Sequence, residues 1–212
     1  MHTDRPQAVI LVHGLWMNGL DLVLMRWRLH RAGYRTYQFS YRSVRNTLAR
    51  HAERLKAFIQ EIPEPEVHVV AHSLGGLVAL SFLDQGFSTG RPGKFLFLGS
   101  PVRGSAAAQS LAERGLGRML LGGVEQALTR SEAREWVGKH PIGTLAGTKS
   151  FGVGWMLTKL PVPNDGTVAE EETRLKGAVD HCSVYTSHTG MLIHGEVARQ
   201  VLSFLQHGEF GR

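Results

Sequence analysis

The stretch Val67–Leu83, VHVVAHSLGGLVALSFL, restricts the fold of this chain more than any other. It opens with an apolar, β-branched run (Val67, Val69, Val70), passes through Ala71-His72-Ser73-Leu74-Gly75-Gly76, and closes with Leu, Val and Ala at helical spacing. That order reads as strand, tight turn, helix, with a serine at the turn. A serine on so sharp a turn holds its hydroxyl above the end of the strand, where another molecule can reach it. Small residues on either side let strand and helix approach closely. The helix points its N-terminus at the same place, so its free N–H groups favour negative charge there. The usual pattern is G-x-S-x-G. Here Ala71 takes the first position, and the turn is expected to accept it with slightly altered packing. The plainer reading, a serine in an ordinary strand-to-helix turn, has to be weighed through the partners that serine could have.

The rest of the chain supplies the surroundings such a turn needs. Ala8–Val12, AVILV, is a continuous apolar run of the kind found in strands buried on both faces, and it ends in His13-Gly14-Leu15-Trp16. A helical segment follows from near Asn18 and Asp21 to Ala32, stopped by Gly33. Tyr34–Tyr41 reads as a second strand and Arg45–Ile62 as an amphipathic helix broken by Pro63 and Pro65. Lys94–Gly99 reads as a fourth strand. Strand and helix thus alternate through the first hundred residues, which predicts a mainly parallel sheet covered on both faces. Beyond Ser100 the pattern loosens, with short helices expected over 105–111, 116–128 and 131–137. Fifth and sixth strands are expected over 142–148 and 179–185, and a last helix ending near Leu205. In such sheets ligands bind at the carboxyl ends of the strands, where both His13-Gly14-Leu15 and Ser73 fall.

An activated serine needs a base to take its proton and an acid to orient that base. Candidates should lie in loops after later strands. Asp165, in Pro163-Asn164-Asp165-Gly166-Thr167-Val168, follows the fifth strand, and His188, in Ser187-His188-Thr189-Gly190, follows the sixth. The order Ser73, Asp165, His188 is the order seen where a serine stands on a strand-to-helix elbow. Asp165-Gly166 also fits a plain turn. The rivals are less well placed: Asp180 and His181 begin a strand, at the opposite end of the sheet, and His194 would lie a turn or more into the last helix. His72 is expected to be turned elsewhere by the elbow, as a packing or supporting histidine, and His13 to hold its own loop. Two N–H donors should face developing oxyanion charge: Leu74, opening the helix, and Leu15, after the first strand. Trp16 beside it is an acyl-contact residue or core filling.

Composition narrows the alternatives. The 212 residues suit one domain, 1–212, with a substantial core, or at most two small ones. The net charge of +6 comes mostly from scattered arginines, with no basic run and no aromatic-basic motif, so nucleic acid is not an expected partner. The basic balance is compatible with weak contact with an anionic membrane surface. Cys182, the single cysteine, cannot form an intrachain disulfide. Without a signal pattern or an apolar run of ~20 residues, the expected location is the cytoplasm. No metal site is expected, because H-E-x-x-H, C-x-x-C and close carboxylate clusters are missing, and Gly75-Gly76 lacks the Lys-Ser/Thr of a phosphate loop.

The motifs VHGLW, AHSLGG, PNDGTV and SHTGML together resemble the α/β-hydrolase superfamily, and within it the small bacterial lipases and lipase-like esterases. The resemblance runs from Ala8 to Leu205. It implies a single-domain fold with a sheet of about six strands, a small cap or none, and no cofactor. It further implies a serine hydrolase acting on carboxylic esters through an acyl-enzyme: Ser73 attacks, His188 moves the proton, Asp165 holds His188, and the Leu15 and Leu74 amides bind the oxyanion. The substrate would be a small acyl ester or lipid. Thioester cleavage or acyl transfer with the same residues, and a non-catalytic binding protein on this fold, are the competing readings. The apolar stretches 104–140 and 151–160 are candidates for an acyl-pocket wall or flap, or are ordinary surface cover.

Overall fold

The computed structural model describes residues 6–130, 134–152 and 158–211. Six strands, β1 (Gln7–Val12), β2 (Arg35–Phe39), β3 (Glu66–His72), β4 (Phe95–Leu98), β5 (Ile142–Gly147) and β6 (Asp180–Val184), form one sheet in the order β2-β1-β3-β4-β5-β6. Every pairing is parallel. The helices are α1 (Val23–Arg31), α2 (Leu48–Gln60), α3 (Leu74–Asp84), α4 (Ala106–Ala112), α5 (Gly117–Leu121), α6 (Glu125–Thr129) and α7 (Gly195–His207).

Period-two alternation sorts the apolar strand residues onto two faces. Ala8, Ile10, Val12, Val67, Val69, Phe95 and Phe97 pack with α2 and α3. Val9, Leu11, Val70, Leu96, Leu98 and Leu145 pack with α1 and α7. Both sides of the sheet are therefore cores, which is why its strands read as unbroken apolar runs. The topological switch lies between β1 and β3, so their carboxyl ends open a crevice between loops that run to opposite sides.

The element reading from sequence holds for the strands and departs in the helical segments. Helix α2 starts at Leu48 rather than Arg45, because the Thr47 hydroxyl accepts the Arg50 N–H and caps it there. The apolar stretch 116–128 is not one helix but α5, a 3₁₀ turn at Gly122–Val124 and α6. Gly122, at φ 58°, breaks it where the chain meets the Val44 carbonyl. The expected helix over 131–137 is absent from its described part: Glu135 makes an isolated parallel bridge with Lys176, and 131–133 lie outside the described residues. His194 caps α7 instead of lying inside it, because a 3₁₀ turn at Gly190–Leu192 takes up the chain first.

Histidines buried in this fold set its response to acid. Burial holds His13, His51 and His72 below their ordinary range and pushes His68 down to about 3. The unfolded chain therefore binds more protons than the folded one below pH ~6.5, and stability present above that pH is lost as pH falls. Each such histidine contributes a slope of about 1.4 kcal/mol per pH unit. Glu172 acts in the opposite sense, since burial raises its carboxyl. We expect the urea midpoint to be flat from pH 8 to 7 and to drop steeply below 6.5. A midpoint unchanged down to pH 4.5 would mean that these rings are protonated in the folded state.

Candidate active site

Ser73 stands between β3 and α3 with φ 54° and ψ −124°, a left-handed conformation that non-glycine residues rarely adopt. Packing enforces it. A Cβ on Gly75 would lie 2.5 Å from the Val12 carbonyl oxygen and 2.7 Å from that of His13, so α3 approaches the end of β1 closely only because residue 75 is glycine. Ala71, within β3, is fully buried and the strand runs through it.

Three side chains meet above the sheet. The Ser73 hydroxyl donates to His188 Nε2 at 3.0 Å, and His188 Nδ1–H donates to Asp165 Oδ2 at 2.7 Å. The carboxylate opposite Nδ1 fixes the tautomer that leaves Nε2 free to accept. Asp165 is itself fixed, because its Oδ1 accepts the Thr167 N–H at 2.9 Å and the Val168 N–H at 2.7 Å. The His188 N–H donates to the Asp165 carbonyl at 3.0 Å, which ties the two loops together. Gly99, at φ 55°, lies against the pair: a Cβ there would come within 3.2 Å of both Asp165 Oδ2 and His188 Nδ1. The rivals lie apart. Asp180 accepts from the His181 and Phe210 N–H groups at the amino end of β6, and His181 pairs with Thr144.

His72 has the supporting role expected of it but not the expected direction. Its ring is not turned away but lies 4.7 Å from that of His188, and its Nε2–H donates to the His188 carbonyl at 3.1 Å. His13 holds the β1 loop: Nδ1–H donates to the Gly14 carbonyl, Nε2 accepts the Tyr41 N–H, and the Tyr41 hydroxyl donates to the His13 carbonyl.

Leu15 and Leu74, the expected backbone donors, line the same cleft as Ser73. Leu74 opens α3, so its N–H has no acceptor within the helix. The Leu15 N–H has no acceptor among the described residues. The neighbouring Trp16 N–H is taken: it donates to Ser43 Oγ at 3.0 Å, which holds Trp16 at φ 58°. Ser43 is buried, and its carbonyl accepts from His51 Nε2. Nothing in the sequence marked Ser43, which reaches the β1 loop across 27 positions. Losing a buried hydrogen bond costs about 1–3 kcal/mol. Ser43→Ala is therefore expected to lower kcat about tenfold with KM nearly unchanged, and Ser43→Thr to restore it. An unaltered kcat would show that the loop does not need this bond.

A cleft of about 220 Å³ opens beside Ser73. Leu15, Trp16, Thr167, Val168 and His188 line its mouth, and Ala107, Ala108, Leu111, Leu121 and Leu128, from α4 to α6, form its wall. Glu172 anchors that wall to the acid loop: its carboxylate accepts the Ala106 N–H at 2.7 Å and the Ala169 N–H at 2.9 Å. Part of the 104–140 stretch thus lines the cleft. Trp16 is neither core nor wholly inside the cleft. It is 58 % exposed at the rim, where Nε1–H donates to the Leu120 carbonyl. In the 151–160 stretch, Trp155 and Met156 lie outside the described residues. Among the described residues no group of His, Cys, Asp or Glu is arranged to hold a metal ion.

Residues 9–195 match the model of the alpha/beta hydrolase family. The chain belongs to that family. Solved structures of similar fold include the mature lipase BlEst2 of Bacillus licheniformis. That match has a TM-score of 0.69 at 20 % identity and covers 95 % of this chain and 91 % of the lipase. A metagenomic carboxyl esterase matches at 0.61 and 19 %, over 88 % of this chain and 65 % of the esterase. The thioesterase RedJ of the prodiginine biosynthetic pathway in Streptomyces coelicolor matches at 0.57 and 14 %, over 95 % and 85 %. No curated protein matches the chain. As an alpha/beta hydrolase it resembles lipase-like esterases in architecture, and no helix among its described residues is long and apolar enough to cross a membrane.

Proposed function

We propose that this hydrolase cleaves carboxylic esters of apolar acyl groups through an acyl-enzyme on Ser73. The observation that carries the reading is the continuous hydrogen-bond relay from Ser73 Oγ through His188 to Asp165, at 3.0 and 2.7 Å, at the mouth of an apolar cleft. In this reading Ser73 Oγ attacks the acyl carbon and its proton passes to His188 Nε2. The carbonyl oxygen gains charge facing the Leu15 and Leu74 N–H groups, donors each worth about 3 kcal/mol in the transition state. Asp165 stabilises the imidazolium without taking its proton. Collapse breaks the acyl–oxygen bond, and the leaving alcohol takes the proton from Nε2. Water then gives a proton to Nε2 and attacks the acyl-enzyme; the acid departs and Ser73 regains its hydrogen.

The acyl chain would lie along Leu111, Leu121 and Leu128, with Trp16 at the entrance. The reaction needs no cofactor. We assign it to the cytoplasm, since the single cysteine, half-buried Cys182, leaves the fold without need of a disulfide. A thioester is the second substrate to test, because the fold neighbours include a thioesterase and the same acyl-enzyme serves both. The test is labelling with a fluorophosphonate probe, wild type beside Ser73→Ala, followed by matched ester and thioester series of increasing chain length. Labelling that requires Ser73 and a rate that rises with chain length support the proposal. A folded wild type that resists the probe would overturn it in favour of a binding protein.

A further inference from the structure

The helix that closes the cleft is apolar on its outer side as well as its inner one. Leu121 of α5 faces the cleft and is buried, whereas Leu116, Met119 and Leu120 are 69 %, 68 % and 49 % exposed. The Trp16 indole, tied to the Leu120 carbonyl, continues this surface across the cleft mouth. Scattered exposed apolar side chains are ordinary, but a contiguous group at the entrance to an apolar cleft marks an interaction site.

Arginines outnumber carboxylates around it. The Gly122–Gly123 end of α5 is bound to the loop after β2, where the Gly123 N–H donates to the Val44 carbonyl, and Ser43 of that loop holds Trp16. The segments 14–20, 40–50 and 114–124 contain Arg42, Arg45, Arg50, Arg114 and Arg118 and no carboxylate, with Asp21, Glu113 and Glu125 bordering them. All five arginines are exposed. Arg50 pairs with Glu53, and Arg118 only loosely with Glu125, at 3.9 Å. Arg42 and Arg45 have no ion-pair partner among the described residues.

We propose that this edge docks on an anionic lipid surface, with Leu116, Met119 and Trp16 entering the headgroup boundary and the arginines meeting the anionic headgroups. Apolar insertion and electrostatic attraction reinforce each other in such binding, each arginine near the surface giving about a fivefold gain in partitioning. A second copy of the chain fits less well: a two-fold contact through the same patch would bring one set of arginines against its equivalent. The cleft mouth would then face the bilayer, so an acyl chain could pass into it without crossing water. This orientation builds on the ester-hydrolase reading, but the binding itself does not depend on it.

The test uses full-length Ser73→Ala protein, which cannot consume the vesicles, in co-sedimentation with phosphatidylcholine vesicles and with vesicles containing a quarter phosphatidylglycerol. Binding is expected to be at least tenfold stronger to the anionic vesicles and to weaken with added salt. It should fall at least tenfold in Leu116→Ser/Met119→Ser and in Arg45→Glu/Arg118→Glu. Both double variants, made in the wild-type background, should keep the wild-type rate on a water-soluble short ester, which shows that they fold. Equal binding to both vesicles, no binding, or binding unaltered in a folded double variant would overturn the proposal. So would a concentration-dependent dimer that Leu116→Ser/Met119→Ser dissolves. An enzyme inert towards esters that still binds anionic vesicles would sink the hydrolase reading and leave this one standing.

Discussion

Ser73→Ala and His188→Ala should each lower ester turnover by about 10⁴–10⁶-fold, and the double variant should be no slower than the worse of the two. Non-additivity follows from the geometry. His188 Nε2 has Ser73 Oγ as its partner at 3.0 Å, so without the hydroxyl the imidazole has no proton to take, and without the imidazole the hydroxyl has no base. The thermal midpoint should change little in Ser73→Ala, whose side chain belongs to neither apolar core, but should fall in His188→Ala, which leaves the buried Asp165 carboxylate without its partner. Stopped assays on purified variants, run beside a melting curve, give the comparison. A His188→Ala enzyme of near-normal rate would remove His188 as the base and return attention to His181 and His194.

Asp165→Asn is expected to be nearly as damaging, about 10⁴-fold in kcat, although it replaces one oxygen by a nitrogen of similar size. The Thr167 and Val168 N–H groups both donate to Oδ1. They require an oxygen there, so the new amide must turn its NH₂ towards His188. His188 Nδ1 then has to accept, its proton moves to Nε2, and the ring presents a donor to Ser73 where a base is needed. Asp180→Asn is the control. That carboxylate serves backbone N–H groups at the far end of β6, and its loss should leave kcat unchanged. A mild effect at Asp165 combined with a severe one at Asp180 would reverse the assignment.

The features legible in the sequence are those set by local chemistry. AVILV and VHVVAH read as buried strands because both faces of each are covered, and the Ser-Leu-Gly-Gly turn reads as an elbow because strand and helix can approach only over small residues. Chain order along a parallel sheet is enough to bring Asp165 and His188 to the end of the sheet where Ser73 lies. What escaped the sequence depends on distant partners. Ser43 matters through a hydrogen bond to Trp16, and His72 turns towards His188 because the carbonyl it meets belongs to a loop 116 positions away. The stretch 116–128 departs for the same kind of reason: its apolar run continues through Gly122, but that residue, at φ 58°, turns the chain where it meets the Val44 carbonyl, a partner the local pattern does not show.

The order of the strands also separates the site's parts by how firmly they are held. Ser73 hangs from β3, flanked by β1 and β4, whereas His188 hangs from β6, at the border of the sheet with a neighbour on one side only. Border strands detach at lower free energy than central ones. Mild denaturant should therefore release the base while the serine's elbow stays folded. Ester turnover should then fall before most of the secondary structure unfolds, and return when β6 pairs with β5 again.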